Sequence, residues 1–430
     1  MRIVQLTPGS GEGFYCENCL RDVAAGAAMR QAGHDVMMLP MYLPLPWRRD
    51  AAGEAGIFYG GINVYLQQKF RLFRRTPRWL DRLFDSPSLL RWVARRADGM
   101  TSAAAQAETI LSMLRGEQGR QAKELERLVA FLASHPPDAV ILSNALLAGL
   151  ARQIRRRASA PVICLLQDED GFLDALPEPL RTEAWTVLAE RAGDVDAFVA
   201  VSEYYAGVMR QRLGLGDEAV KVVYQGVEPP AWEPADAPPR PPAVGFLSRA
   251  CAFKGLDLLV EAFIALKGGA FGDLTLRVAG GMTRADRPFL AALRRRIADT
   301  GHSGDVEFIE AFDQQARQEF LRGLSVLSVP ERGGEAGGLY VLEALAAGVP
   351  VVQPDCCVFP ELLGATGGGL LFRPNDAGSL AGALAKVLGD ADLAAKLSRD
   401  GRRAVLENFT AARMAEQLAE VCRETTGKRK

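Results

Sequence analysis

Short apolar runs recur along the first half of the chain, each followed by a longer stretch of helical periodicity. The runs are "RIVQL" (2–6), "DVMMLP" (35–40), "DAVILS" (138–143), "PVICLL" (161–166), "DAFVAV" (196–201) and "VKVVY" (220–224). They are rich in β-branched residues and show little polar alternation, the pattern of strands buried on both faces. The first helical pattern runs from about Glu17 to Gly33. A parallel sheet covered by helices is the expected result.

The pattern breaks at "EPPAWEPADAPPRPP" (228–242), where seven of fifteen residues are proline. Such a stretch cannot be helical and suits an extended linker. Alternation then restarts with "AVGFLS" (243–248), "LTLRVAGG" (274–281), "DVEFIE" (305–310), "LSVLSV" (324–329), "VPVVQP" (349–354) and "GLLF" (369–372). The spacing predicts an α/β protein of two Rossmann-like domains, 1–227 and 243–408, joined by the linker 228–242. Residues 409–430 form a last helix with Thr410 as its N-cap, followed by a basic tail.

One segment stands out within this pattern: "PERGGEAGGLYVLEALAAGVPVV" (330–352), directly after a strand. In open parallel sheets, ligands bind beyond the carboxyl ends of the strands. Gly333, Gly334, Gly337 and Gly338 leave the backbone accessible, and the helix expected from Leu339 presents free N–H groups that suit a phosphate. Glu335 reads as a helix cap or as a ligand contact. Glu343 lies one turn inside an apolar helix, where a bare carboxylate is costly, so a protein side chain or a ligand hydroxyl must meet it. Eight residues at helical rise would span roughly 12 Å, enough to set two carboxylates on sugar rings flanking a pyrophosphate. "GFLSRACAFKG" (245–255) adds Arg249 and Lys254 after the first strand of the same domain, cations suited to phosphate oxygens.

Composition narrows the function classes. The chain has 430 residues, a formal net charge of −1, 48% hydrophobic and 24% charged residues, so no global field recruits nucleic acid. Seven cysteines without dense spacing suit reduced thiols. The start "MRIVQLTPGSG" turns polar too soon for a signal peptide, and no apolar run reaches membrane-spanning length. A cytoplasmic protein is expected.

Glu335, Gly338, Leu339 and Glu343, with Arg249 and Lys254, resemble the donor-site motifs of retaining family 4 glycosyltransferases of the GT-B fold. Gly337 departs from that pattern, standing where an aromatic is usual. "AVSEYYAGVM" (200–209) and "YQGVE" (224–228) resemble the family's end-of-domain and hinge segments. The resemblance covers most of the chain and is strongest from 243 to 375. It implies two Rossmann-like domains facing across a cleft, with the C-terminal helix returning to the N-terminal domain. It also implies retaining transfer of a sugar from a nucleoside-diphosphate sugar to a hydroxyl acceptor, saccharide or lipid-linked, with no metal or other cofactor. Glu335 would hold the transferred sugar, Glu343 the ribose hydroxyls, Arg249 and Lys254 the diphosphate, and the backbone of Gly337, Gly338 and Leu339 the phosphate and sugar. Two alternatives are a glucan-synthase-like transferase using ADP- or UDP-glucose and a non-catalytic nucleotide-sugar binder.

The first domain matches less well. "PGSGEGFYCENCLRD" (8–22) resembles the family's glycine loop, with Gly11 and Gly13 near the donor, but lacks the lysine of glucan synthases. Gln167 stands where many relatives carry a histidine, leaving Gln167 or Glu169 to orient the sugar. Cys16 and Cys19 form a C-x-x-C without a second pair for zinc, which favours packing. Lys69–Arg96 carries nine basic and two acidic residues. Thr76-Pro77 and Ser86-Pro87 read as helix starts, giving either a lid over the acceptor or a peripheral contact with an anionic membrane.

Overall fold

The computed structural model describes residues 1–8, 15–41, 103–228, 234–235, 238–309 and 314–428. Gly11, Gly13 and the Lys69–Arg96 segment lie outside the described residues. Two compact units are formed. The first comprises 1–12, 18–224 and 414–430; the second comprises 13–17 and 225–413.

In the first unit, six strands β1 (Arg2–Thr7), β2 (Asp35–Pro40), β3 (Ala139–Leu142), β4 (Val162–Leu166), β5 (Ala197–Ala200) and β6 (Val220–Val222) pair in parallel in the order β2-β1-β3-β4-β5-β6. β3 and β4 are buried along their whole length, as strands covered by helices on both faces must be. Register is set by pairs such as Val4 with Val140 and Ile141 with Ile163. The last helix, Ala411–Gly427, starts where the Thr410 hydroxyl accepts from Arg413 N–H at 3.2 Å, the expected N-cap. From Met414 onward it belongs to the first unit, where Glu424 pairs with Lys221 and the Thr426 hydroxyl donates to Asp138 O at 3.3 Å.

In the second unit, β7 (Ala243–Leu247), β8 (Thr275–Ala279), β9 (Val306–Ile309), β10 (Val326–Leu327), β11 (Val351–Pro354) and β12 (Gly369–Phe372) pair in parallel as β12-β11-β10-β7-β8-β9. Numbered within the unit, that is the Rossmann order, 3-2-1-4-5-6 read from one edge. Val244, Phe246, Leu276, Leu327 and Val351 form its core layer. The topological switch point falls between β7 and β10, where connections leave in opposite directions and open a crevice. The loop after β7 carries Arg249 and Lys254, and the loop after β10 carries Glu331 and Glu335. Gly255 joins these loops closely. Its φ is +71° and a Cβ there would lie 1.9 Å from Pro330 O, so only glycine fits.

Candidate functional site

The site is built where the loops after β7 and β10 meet. The helix Leu339–Ala346 begins only after the glycine loop, with Gly338 at its N-cap in the left-handed region (φ +61°). Glu335 therefore lies before the helix rather than on it, and the helical-rise distance between Glu335 and Glu343 does not apply. The Glu335 Oε1 accepts from Gly338 N–H at 2.8 Å and from Gly337 N–H at 3.3 Å. Its other oxygen lies 2.9 Å from Lys254 Nζ. Capping is thus one half of what Glu335 does; the other half is an ion pair.

Lys254 is shared. Its Nζ lies 2.6 Å from Glu331 and 2.9 Å from Glu335, and both carboxylates are buried. Burial raises Glu331 above the usual carboxylate range, Lys254 pulls it back, and the Glu335 charge raises it further. Glu331 was not singled out from the sequence, although it stands in the same glycine-rich segment as Glu335, a usable signal. Arg249 sits apart from this triad, half-exposed and 3.5 Å from Asp286.

Glu343 has protein partners. The Tyr15 hydroxyl donates to Oε2 at 2.8 Å, and Arg317 Nε stands 3.4 Å from Oε1. The Arg317 guanidinium also lies 5.8 Å from the Tyr15 ring centroid. Burial raises Glu343 above the ordinary carboxylate range, while Arg317 and the Tyr15 hydrogen bond oppose that rise. Tyr15 is buried, and its phenol is held well above its usual range by burial and by the Glu343 charge. It remains a hydrogen-bond donor at neutral pH. Glu17 completes the arrangement, its Oε2 accepting from Leu339 N–H at 2.8 Å. Tyr15, Glu17 and Arg317 were not read from the sequence: the first two lie more than three hundred positions from their partners, and Arg317 sits on a separate helix, Gln314–Arg322.

Beside this cluster, a recess of about 510 Å³ opens at the ends of β8 and β9. Gly281, Met282, Arg287, Arg294, Phe308 and Ile309 are among its walls, and Arg294 stacks on Phe308 at 4.5 Å. Its size is in the range of small-ligand sites.

The first unit has a buried polar cluster of its own. Gln167 donates to Ser143 O at 2.7 Å, while its Oε1 is buried with no partner among the described residues. Glu169 accepts from Ala145 N–H at 2.8 Å, Gln167 N–H at 2.7 Å and the Tyr205 hydroxyl at 2.8 Å. Its acceptor capacity is directed at the fold, which makes it a loop-fixing residue. Asp22 holds Arg21 at 2.7 Å and accepts from Ser143 and Thr7 hydroxyls. Cys16 is half-buried and Cys19 buried, the latter inside the helix Glu17–Gln31.

Two parallel six-stranded α/β units in one chain, the second in the Rossmann order, constitute the GT-B architecture. The chain belongs to the family 4 glycosyltransferases. Residues 233–404 match the family model described as glycosyl transferases group 1, and residues 91–229 match that of glycosyltransferase family 4. Among curated relatives, the lipopolysaccharide core biosynthesis mannosyltransferase LpsB of Rhizobium meliloti is 32% identical over 182 residues, covering 41% of this chain and 50% of that protein. The D-inositol 3-phosphate glycosyltransferase of Nocardia farcinica is 29% identical over 258 residues, covering 57% of this chain and 55% of that protein. The chain thus spans about half the length of the curated relatives it matches. Sucrose-phosphate synthase from Thermosynechococcus elongatus superimposes with a TM-score of 0.72 at 18% identity, over 99% of both chains. Anabaena HepE in complex with UDP and glucose gives 0.70 at 15% identity, over 99% of this chain and 100% of that one. These two likenesses establish the fold. Among the described residues no helix is long and apolar enough to cross a membrane.

Proposed function

We propose that this chain transfers a sugar from a nucleoside-diphosphate sugar to a hydroxyl acceptor, saccharide or lipid-linked, with retention of anomeric configuration. The observation that carries the reading is the meeting of Lys254, Glu335 and the N-terminus of Leu339–Ala346 at the switch point of the second sheet. Each group has a task there. Lys254 and Arg249 neutralise the diphosphate and the charge that grows on it as the glycosidic bond breaks, so no metal is needed in this scheme. The backbone N–H groups of Gly337 and Gly338, which Glu335 caps, and of Leu339, which Glu17 caps, form the phosphate seat. Glu335 holds hydroxyls of the transferred sugar, and Glu343 holds the ribose. The recess walled by Phe308 and Arg294 takes the base. In the first unit, the Gln167 Oε1 offers a buried acceptor for a sugar hydroxyl.

In this scheme the leaving diphosphate takes the proton from the incoming acceptor hydroxyl, on the same face of the sugar from which it departs. Retention follows from that geometry without a protein nucleophile. The test is a panel of UDP-, GDP- and ADP-sugars, scored by release of free nucleotide with and without saccharide acceptors. Proton NMR of the fresh product reads the anomeric coupling. Glu335→Gln should lower turnover by on the order of a hundredfold, as loss of a transition-state contact does, with little change in nucleotide affinity. An inverted anomer would remove the retaining mechanism. Full activity in the variant would remove Glu335 from the site.

A further inference from the structure

The short segment Tyr15–Glu17 is held in the second unit at three points, and two of them are donor contacts in the function proposed above. Tyr15 N–H donates to Gly280 O at 2.8 Å. Its hydroxyl donates to Glu343 Oε2 at 2.8 Å, and Glu17 Oε2 accepts from Leu339 N–H at 2.8 Å. In that reading, Glu343 waits for a ribose hydroxyl and the Leu339 N–H for a phosphate oxygen. The chain therefore meets a hydroxyl acceptor with a hydroxyl, and an anion seat with an anion.

We infer that Tyr15 and Glu17 are a resident stand-in for the donor, which nucleotide must displace, so that this segment sets donor affinity. The inference rests on the assignment of Glu343 and Leu339 to the donor. Mutual exclusion follows from charge and geometry. Leu339 is the first residue of its helix, and its cap, Gly338, has no side chain to serve it. Glu17 fills that vacancy from elsewhere in the chain, as a carboxylate at a helix N-terminus does. A phosphate brought to the same N–H would face the Glu17 carboxylate at contact distance, and like charges there repel. At Glu343, Arg317 already stands by Oε1, so a ribose hydroxyl reaches the carboxylate best by taking the place of the phenol at Oε2. The two contacts lie two residues apart in the chain and are released together.

Competition of this kind lowers apparent affinity by the fraction of molecules in which the site is open. Calorimetry with UDP, GDP and ADP on the parent chain, Glu17→Gln, Tyr15→Phe and the double variant measures it. The nucleotide that the parent binds should bind Glu17→Gln on the order of tenfold tighter, since the variant keeps the shape but not the charge. Tyr15→Phe should show a smaller gain, and the double variant the largest. Affinity equal to or below that of the parent in all three variants overturns the stand-in while leaving the donor site intact. Absence of binding to every nucleotide in parent and variants alike overturns the donor assignment itself, and this inference with it. Hydrogen exchange on the parent gives a reading free of mutation. Saturating nucleotide should speed exchange at residues 15–17 while slowing it at Leu339–Ala346, and slowed exchange at both would show that the segment closes on the donor instead.

Discussion

The two units each bury a cluster of charged side chains near the carboxyl ends of parallel strands, and they treat their carboxylates differently. In the first unit, Glu169 is met by two backbone N–H groups and by the hydroxyl of Tyr205 on the helix Glu203–Leu213. In the second, Glu343 is met by Tyr15 and Arg317, and Glu331 by Lys254 and the Gly333 backbone. Backbone donors cannot leave without unfolding a loop. Side chains on long stems can leave by rotating. A carboxylate satisfied by the first kind of partner fixes structure, and one satisfied by the second kind can exchange its partner for a ligand. Glu335 combines both, with one oxygen on the backbone of its own loop and the other on Lys254.

The difference can be broken first by removing Glu169. Glu169→Ala would strand Ala145 N–H and Gln167 N–H in a buried place, while the Tyr205 hydroxyl keeps Asp170 Oδ1 at 3.0 Å, and each unmet group costs about 1–3 kcal/mol. The expected loss is about 3 kcal/mol or more, read as a lower denaturation midpoint at unchanged slope in urea. Glu343→Gln should cost far less, because the amide oxygen still accepts from Tyr15 and the burial of a charge is relieved. Equal losses from the two substitutions would mean that both clusters are structural.

The second effect is smaller and concerns binding. Glu343→Gln should weaken the binding of nucleoside diphosphate by about tenfold, the difference between a charged and a neutral acceptor for ribose hydroxyls. Gln167→Ala, in the first unit, should leave that affinity unchanged while lowering turnover by about tenfold, through lost positioning of the sugar. Calorimetry beside initial-rate kinetics separates the two. A fall in nucleotide affinity with Gln167→Ala would move that residue into the donor site.

What could be read from the chain, and what could not, divides along the same line. Every strand in the two sheets was visible as an apolar run, because strands buried on both faces need no partner information to be recognised. Glu335, Glu343 and Lys254 were visible because they share short segments with glycines and strand ends. The partner of Glu343 was left open between a side chain and a ligand, and the structure supplies Tyr15 and Arg317. Neither could be found by local reading: Tyr15 lies 328 residues from Glu343 in sequence, and Arg317 sits on a separate helix. Glu169 stood beside Gln167 as a candidate to orient the sugar; the donors around it make it a brace. The helical spacing drawn between Glu335 and Glu343 failed because Gly338, in the left-handed region, starts the helix three residues after Glu335.

The smallest expected effect is in the pH dependence of stability, and it has a definite sign. Burial is the largest cause raising Glu331, Glu343 and Glu169 above the ordinary carboxylate range. For such a group the unfolded chain loses its proton first as pH rises, so the folded state binds more protons across the window between the two pKa values. Stability from these groups therefore falls as pH rises from the ordinary carboxylate range through the folded pKa. Half-buried Asp400 and Asp305 are lowered by their lysine partners and act the other way, their contribution being lost as pH falls. The whole-protein curve mixes both signs, so the useful quantity is a difference. Glu331→Gln is neutral at every pH and leaves Lys254 paired with Glu335. Its stability relative to the parent should rise as pH moves from mildly acidic towards neutral, seen as a growing gap in urea midpoints. If the Lys254 pair outweighed burial at Glu331, the gap would shrink over the same range. Glu331 would then be a fixed half of an ion pair, closer to Glu169 than to the exchangeable carboxylates of its own unit.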